Sequence, residues 1–140
     1  MVKDTSEMLK ELENFSSFKD FMTENNDNIA KKQLSENLNE LLLKYNIKKS
    51  EAVKRSEINE IYAYQIFAGS RLPDRNKLLC ILIGMSLPLE EVQNLLKKSG
   101  YATLYLKNPA DCIVAFGIHN KYNLLKINDL LYEYGLDTLG

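Results

Sequence analysis

The chain has 140 residues, enough for one domain with a real core. Hydrophobic residues make up 45% and charged residues 26%, both ordinary for a soluble globular protein. No apolar run approaches the ~20 residues that a membrane span needs. The start, "MVKDTSEMLKELENF", is charged and has no apolar signal core, so the expected location is the cytoplasm, with no membrane partner. The net charge of −1 hides an uneven distribution. Residues 1–43 carry 5 basic and 9 acidic side chains, residues 44–77 carry 8 and 4, and residues 78–140 carry 5 and 6. A positive centre between an acidic arm and a near-neutral tail suits a local anionic partner.

In chain order the sequence reads as helices, because no apolar–polar alternation is long enough to suggest a sheet. Met8, Leu12, Phe15, Phe18, Phe21 and Met22 mark an amphipathic arm, and "TENNDN" at 23–28 is expected to break it. Leu34, Leu38, Leu41, Leu42 and Tyr45 recur on one helical face, with Asn46 as its stop. Two short helices follow across a tight turn. Ser50 is expected to cap the first, with Ala52 and Val53 inward. Asn59 is expected to cap the second, and Gly69 to end it. Asp74 opens a helix ending near Gly84, and Pro88 starts one closed by Gly100. Asn108–Pro109 starts a helix through Cys112, Ile113 and Phe116, and Asn123 starts the last, closed by Gly135. "LNELLLKYNI" (38–47) echoes "INDLLYEYGL" (127–136), but no fixed period runs along the chain. Cys80 and Cys112 both lie in apolar stretches and are expected as buried thiols. With one His and two scattered Cys there is no recognised metal-ligand spacing. No P-loop, GxGxxG or evident Ser–His–Asp set occurs, so neither a cofactor nor an enzyme is expected.

Residues 59–69 divide into two faces. Tyr62, Ala63, Ile66 and Phe67 share the core side, while Glu60, Ile61, Tyr64, Gln65 and Ala68 share the other. The second set has the chemistry to read base edges: Gln can bond adenine twice, Glu can accept from cytosine, and apolar surface can meet a thymine methyl. Glu60, Ile61, Tyr64 and Gln65 are therefore the candidate base contacts. Lys48, Lys49, Ser50, Arg71, Arg75 and Lys77 flank them as candidate phosphate contacts. Each also has a plainer reading: Gln65 as a solvated helix residue, Arg71 as a partner of a helix end or of Asp74.

The run "SEAVKRSEINEIYAYQIFAGSRLPDRNKLL" resembles the lambda-repressor-like (XRE-type) helix-turn-helix family. Ala52, Ala63, Ile66, Gly69, Arg71, Pro73, Leu78 and Leu79 fit its pattern over roughly residues 34–98. The phrase "NDLLYEYGL" is similar to that of a bacterial subgroup with a C-terminal helix pair. The resemblance implies an all-α, five-helix bundle with an N-terminal helical arm. Its parts are expected at 1–30 (arm), 31–100 (helix-turn-helix domain) and 101–140 (extension on the same domain). It also implies a sequence-specific DNA-binding transcriptional regulator with its recognition helix at about 60–68. The implied partners are duplex DNA and a second copy, through the C-terminal helices or the arm. Two residues depart from the family: Glu57 stands where it usually has Gly, and Glu60 where basic or neutral polar residues are common. A domain that has exchanged DNA for a protein partner is the alternative.

Overall fold

The computed structural model describes the backbone of residues 5–14 and 18–140, and the side chains of residues 5–9 and 28–140. The described residues form helices and connecting segments, with no strand. The helices are α1 (Thr5–Asn14), α2 (Phe18–Lys44), α3 (Lys49–Ser56), α4 (Glu60–Ala68), α5 (Arg75–Gly84), α6 (Leu89–Lys98), α7 (Pro109–His119) and α8 (Leu124–Glu133). None among the described residues is long and apolar enough to cross a membrane.

The expected break at 23–28 does not occur, because α2 runs through it. That stretch holds neither Gly nor Pro, and polar residues cost a helix interior only ~0.5 kcal/mol each. Of the arm's apolar stripe, Met8 is half-buried on α1. The side chains of Leu12, Phe15, Phe18, Phe21 and Met22 lie outside the described residues.

Local capping follows the sequence closely. Asn59, Asp74, Asn108 and Asn123 each accept a hydrogen bond from the backbone N–H three residues on, at 2.8–3.0 Å. Ser50 does not cap α3. The helix starts one residue earlier, at Lys49, and its cap position is Lys48, which makes no side-chain cap bond.

Four connections share one corner. Asn46, Glu57, Ser86 and Lys121 have φ of 51°, 55°, 55° and 59°, and they are the non-glycine residues with positive φ among the described residues. Each is followed by an apolar residue packed in or against the core (Ile47, Ile58, Leu87, Tyr122). Then comes the residue that starts the next helix: Lys48, Asn59, Pro88 or Asn123.

The centre of the core is α5, where Leu78 through Gly84 are all buried. Around it stand Leu34, Leu38, Leu41 and Leu42 of α2, Ala52 and Val53 of α3, and Ala63, Ile66 and Phe67 of α4. Val92, Leu95 and Leu96 of α6 close one side, and Val114, Ala115, Ile118, Leu124, Ile127 and Leu131 extend the same core through α7 and α8. Tyr45, expected on the α2 core face, leaves it for the Glu91 carboxylate. In α7 the inward set is Val114, Ala115, Gly117 and Ile118, so Cys112 and Phe116 point outward. Cys112 is thus exposed, against expectation. Cys80 is buried as expected, and burial pushes its thiol up to about 11.

A repeat appears that the sequence patterning did not show. Ser86 and Lys121, Pro88 and Asn123, Gly100 and Gly135, and the two ten-residue helices α6 and α8 correspond at a constant separation of 35 residues. The correspondence extends to an unusual bracket. The Gln93 amide accepts from Leu104 N (2.7 Å) and donates to Leu104 O (3.0 Å). The Asn128 amide does the same with Leu139 (2.7 and 3.1 Å). The second copy replaces Gln by a shorter amide and retains both bonds.

Candidate nucleic-acid interface

The α3–turn–α4 unit sits on α5 at backbone distance. A Cβ on Gly84 would lie 2.7 Å from Ala52 O and 2.9 Å from Ser56 N, so only glycine lets the two helices meet there. Ser56 is fully buried, and its hydroxyl donates to Val53 O at 2.6 Å. From the other side the Asn39 amide, on α2, donates to Phe67 O at 2.9 Å, near the end of α4. The sequence reading did not single out Asn39. An amide on a helix gives no sign of its partner 28 positions away.

On this footing α4 divides as its spacing predicts. Ala63, Ile66 and Phe67 are buried. Glu60, Ile61 (71% exposed), Tyr64 (37%) and Ala68 face out, and Gln65 is half-buried at the edge. Across a shallow groove from Glu60 and Tyr64 stand Ser50 and Lys54 of α3, with Val53 and Ile58 at its floor. The sequence reading missed Lys54, whose place on this groove depends on the crossing of two helices. Lys48, Lys49 and Ser50 are exposed at the start of α3, with the Lys49 ammonium 5.7 Å from the centre of the Phe67 ring.

Beyond α4, Arg71 is fixed by two neighbours. Its guanidinium lies over the Tyr62 ring, 5.1 Å from the centroid, and its Nε donates to Gln65 Oε1 at 3.3 Å. Tyr62 is therefore a platform as well as a packing residue. Lys77 is half-buried, 4.0 Å from the Asp74 carboxylate.

Arg75 does not join this group. Its guanidinium donates to both Asp111 oxygens (3.0 and 2.9 Å), to Ala102 O (3.0 Å) and to Thr103 O (3.1 Å). Asp111 also accepts from Tyr105 N at 2.9 Å. Burial alone would raise the Asp111 carboxyl, but the bonds from Arg75 and Tyr105 outweigh it and hold the pKa below its ordinary value. The residue expected at a phosphate is instead a strut that fastens the α6–α7 connection. The same connection is tied to the loop before α5 by Tyr101 Oη, which donates to Pro73 O at 2.6 Å.

Glu57 takes the left-handed conformation at the turn (φ 55°, ψ 15°) and is exposed, as is Glu60. Among the described residues no group of three or more His, Cys, Asp or Glu could hold a metal ion. Set against family models, curated proteins and solved structures, the chain matches none.

Proposed function

We propose that the chain binds duplex DNA in a sequence-specific way, as a bacterial, cytoplasmic transcriptional regulator of the lambda-repressor-like (XRE-type) kind. In this reading α2 to α6 are the five helices of that domain, and α4 enters the major groove. The observation that carries it is the division of α4: one face locked into the core through Ala63, Ile66 and Phe67, the other offered outward with Glu60, Ile61 and Tyr64, and Gln65 at its edge. A short helix held this firmly, with a turn and a basic helix start beside it, is the arrangement a groove-reading helix requires.

The parts divide by task. Lys48, Lys49 and Ser50 meet phosphate on one side of the groove, and Arg71 with Lys77 on the other. Gln65 keeps its NH₂ available to a base acceptor while Arg71 holds its Oε1. Ile61 and Tyr64 supply apolar surface for a thymine methyl. Arg75 is left out of this set because its donors are engaged within the fold.

The test is enrichment from randomised duplex DNA at moderate salt. The native protein should select a motif, and Gln65→Ala should relax one position of it while retaining most non-specific affinity. Arg71→Ala should flatten the slope of log affinity against log salt by about one unit. Failure to enrich any motif would sink the proposal. It would favour the second reading, a protein-binding module derived from this domain, which rests on the exposed carboxylates of Glu57 and Glu60 beside the groove.

A further inference from the structure

Gln65 is the point at which the connection after α4 folds back onto the helix. Its main-chain carbonyl accepts from Ser70 N at 3.0 Å and from Ser70 Oγ at 3.2 Å. Its side-chain Oε1 accepts from Arg71 Nε at 3.3 Å, and the Arg71 guanidinium lies over the Tyr62 ring. Gln65 and Tyr62 are both half-buried on α4, so the helix itself carries the two groups that hold the guanidinium. Chemistry fixes the direction of the side-chain bond. A guanidinium has five N–H donors and no acceptor, so only the oxygen of the Gln65 amide can face it. The amide's NH₂ is thereby turned away from Arg71 with both of its donors uncommitted. Arg71 keeps the four N–H donors of its Nη groups beyond the one given to Gln65.

We infer that Arg71 is a positioning residue that makes Gln65 a reader of guanine rather than adenine. The inference rests on the reading of α4 as the groove helix and names the base that Gln65 selects. A free glutamine amide suits adenine, because it accepts from N6 and donates to N7 at once. With its Oε1 held by Arg71, Gln65 can only donate. Guanine presents two neighbouring acceptors in the major groove, O6 and N7. Adenine offers N7 alone and sets its N6 amino group against another donor, thymine offers O4 alone, and cytosine offers an amino donor. A donor facing a donor leaves both unpaired away from water, which costs more than a bond gains. Arg71 thus joins two tasks: its Nη groups on phosphate set the register, and its Nε on Gln65 sets the base.

The test is competition at low salt among four duplexes that carry the selected motif. They differ only at the base pair whose preference Gln65→Ala relaxes. The native protein should favour guanine over adenine there by roughly tenfold. Arg71→Met removes the donor to Oε1 and keeps an unbranched stem to lie on Tyr62. It should weaken binding to all four duplexes and bring adenine level with guanine or above it. Loss of a phosphate contact alone weakens all four alike and leaves their ranking as it was, so the change of ranking reports the Gln65–Arg71 bond. Arg71 is exposed, and unchanged circular dichroism spectra would establish that the variants are folded. Native preference for any base other than guanine at that position overturns the inference. So does an Arg71→Met protein that ranks guanine first by the native margin, or a motif in which no position responds to Gln65→Ala. Each of these results leaves a sequence-reading α4 in place, whereas the absence of any motif removes the groove reading and this inference together.

Discussion

Two pairs of helices in this molecule meet over a helical glycine, and they meet differently. At the α3–α5 junction, Gly84 faces main chain: the carbonyl of Ala52 and the N–H of Ser56. At the α7–α8 junction, Gly117 faces the side chain of Ile127. Main chain in the middle of a helix cannot move without dragging the helix with it, whereas the buried Ile127 side chain can give way by shifting among its own neighbours. The first junction therefore fixes the candidate reading unit rigidly, and the second leaves the C-terminal pair some accommodation. A site needs its supports more exact than a general packing surface does.

Substitutions at the two glycines should separate these cases. Gly84→Ala should have the largest effect, about 3 kcal/mol or more, since overpacking here has no side chain to yield. Thermal unfolding should register it as a fall of roughly 10 °C for a chain of this size. DNA selection by the variant should weaken even in the folded fraction. Equal thermal stability of Gly84→Ala and the native chain would refute the rigid junction.

Next in size comes the strut. Asp111→Asn should cost about 2 kcal/mol at neutral pH, the range for hydrogen bonds to a charged group. Its acid dependence has a definite sign. The folded pKa of Asp111 is depressed, so its contribution is complete above the ordinary carboxyl value of about 4 and is lost as pH falls through the folded pKa. Denaturant titrations between pH 6 and pH 2 should therefore show a shallower loss of stability in Asp111→Asn than in the native chain. Identical pH profiles would show that the pair contributes nothing to acid sensitivity.

The smallest effect is expected at Gly117→Ala, between about 1 and 2 kcal/mol, because a side chain and not main chain has to shift to admit the added methyl. A loss as large as that of Gly84→Ala would erase the contrast between the two junctions.

What the sequence disclosed and what it withheld divide along the same line of distance. The caps at Asn59, Asp74, Asn108 and Asn123 were legible because donor and acceptor lie three residues apart, and local backbone geometry decides them. The two faces of α4 were legible because a helical period decides them. Arg75 was not: its partner Asp111 is 36 residues away, and nothing near Arg75 separates a strut from a phosphate ligand. Cys112 looked buried because its neighbours are apolar, yet those neighbours, Val114 and Ala115, take the inward face themselves. On α4, Ile61 and Tyr64 face out and Gln65 lies at the edge, as the helical period predicts. Lys54 and Asn39 required the crossing of helices to become visible, and the Tyr62 platform the return of the connection after α4 over that helix.

The four left-handed corners have a consequence for assembly. Each joins consecutive helices through three or four residues, so closing them costs little chain entropy. Much of the fold can therefore be built from neighbours in sequence. Helical domains dominated by such local contacts fold in the microsecond-to-millisecond regime. Once the whole chain is available, its leucine-rich α5 then stays uncovered only briefly. The positive-φ residues Asn46, Glu57, Ser86 and Lys121 thus act on speed as well as on shape, because they set the angle at which each new helix meets the last.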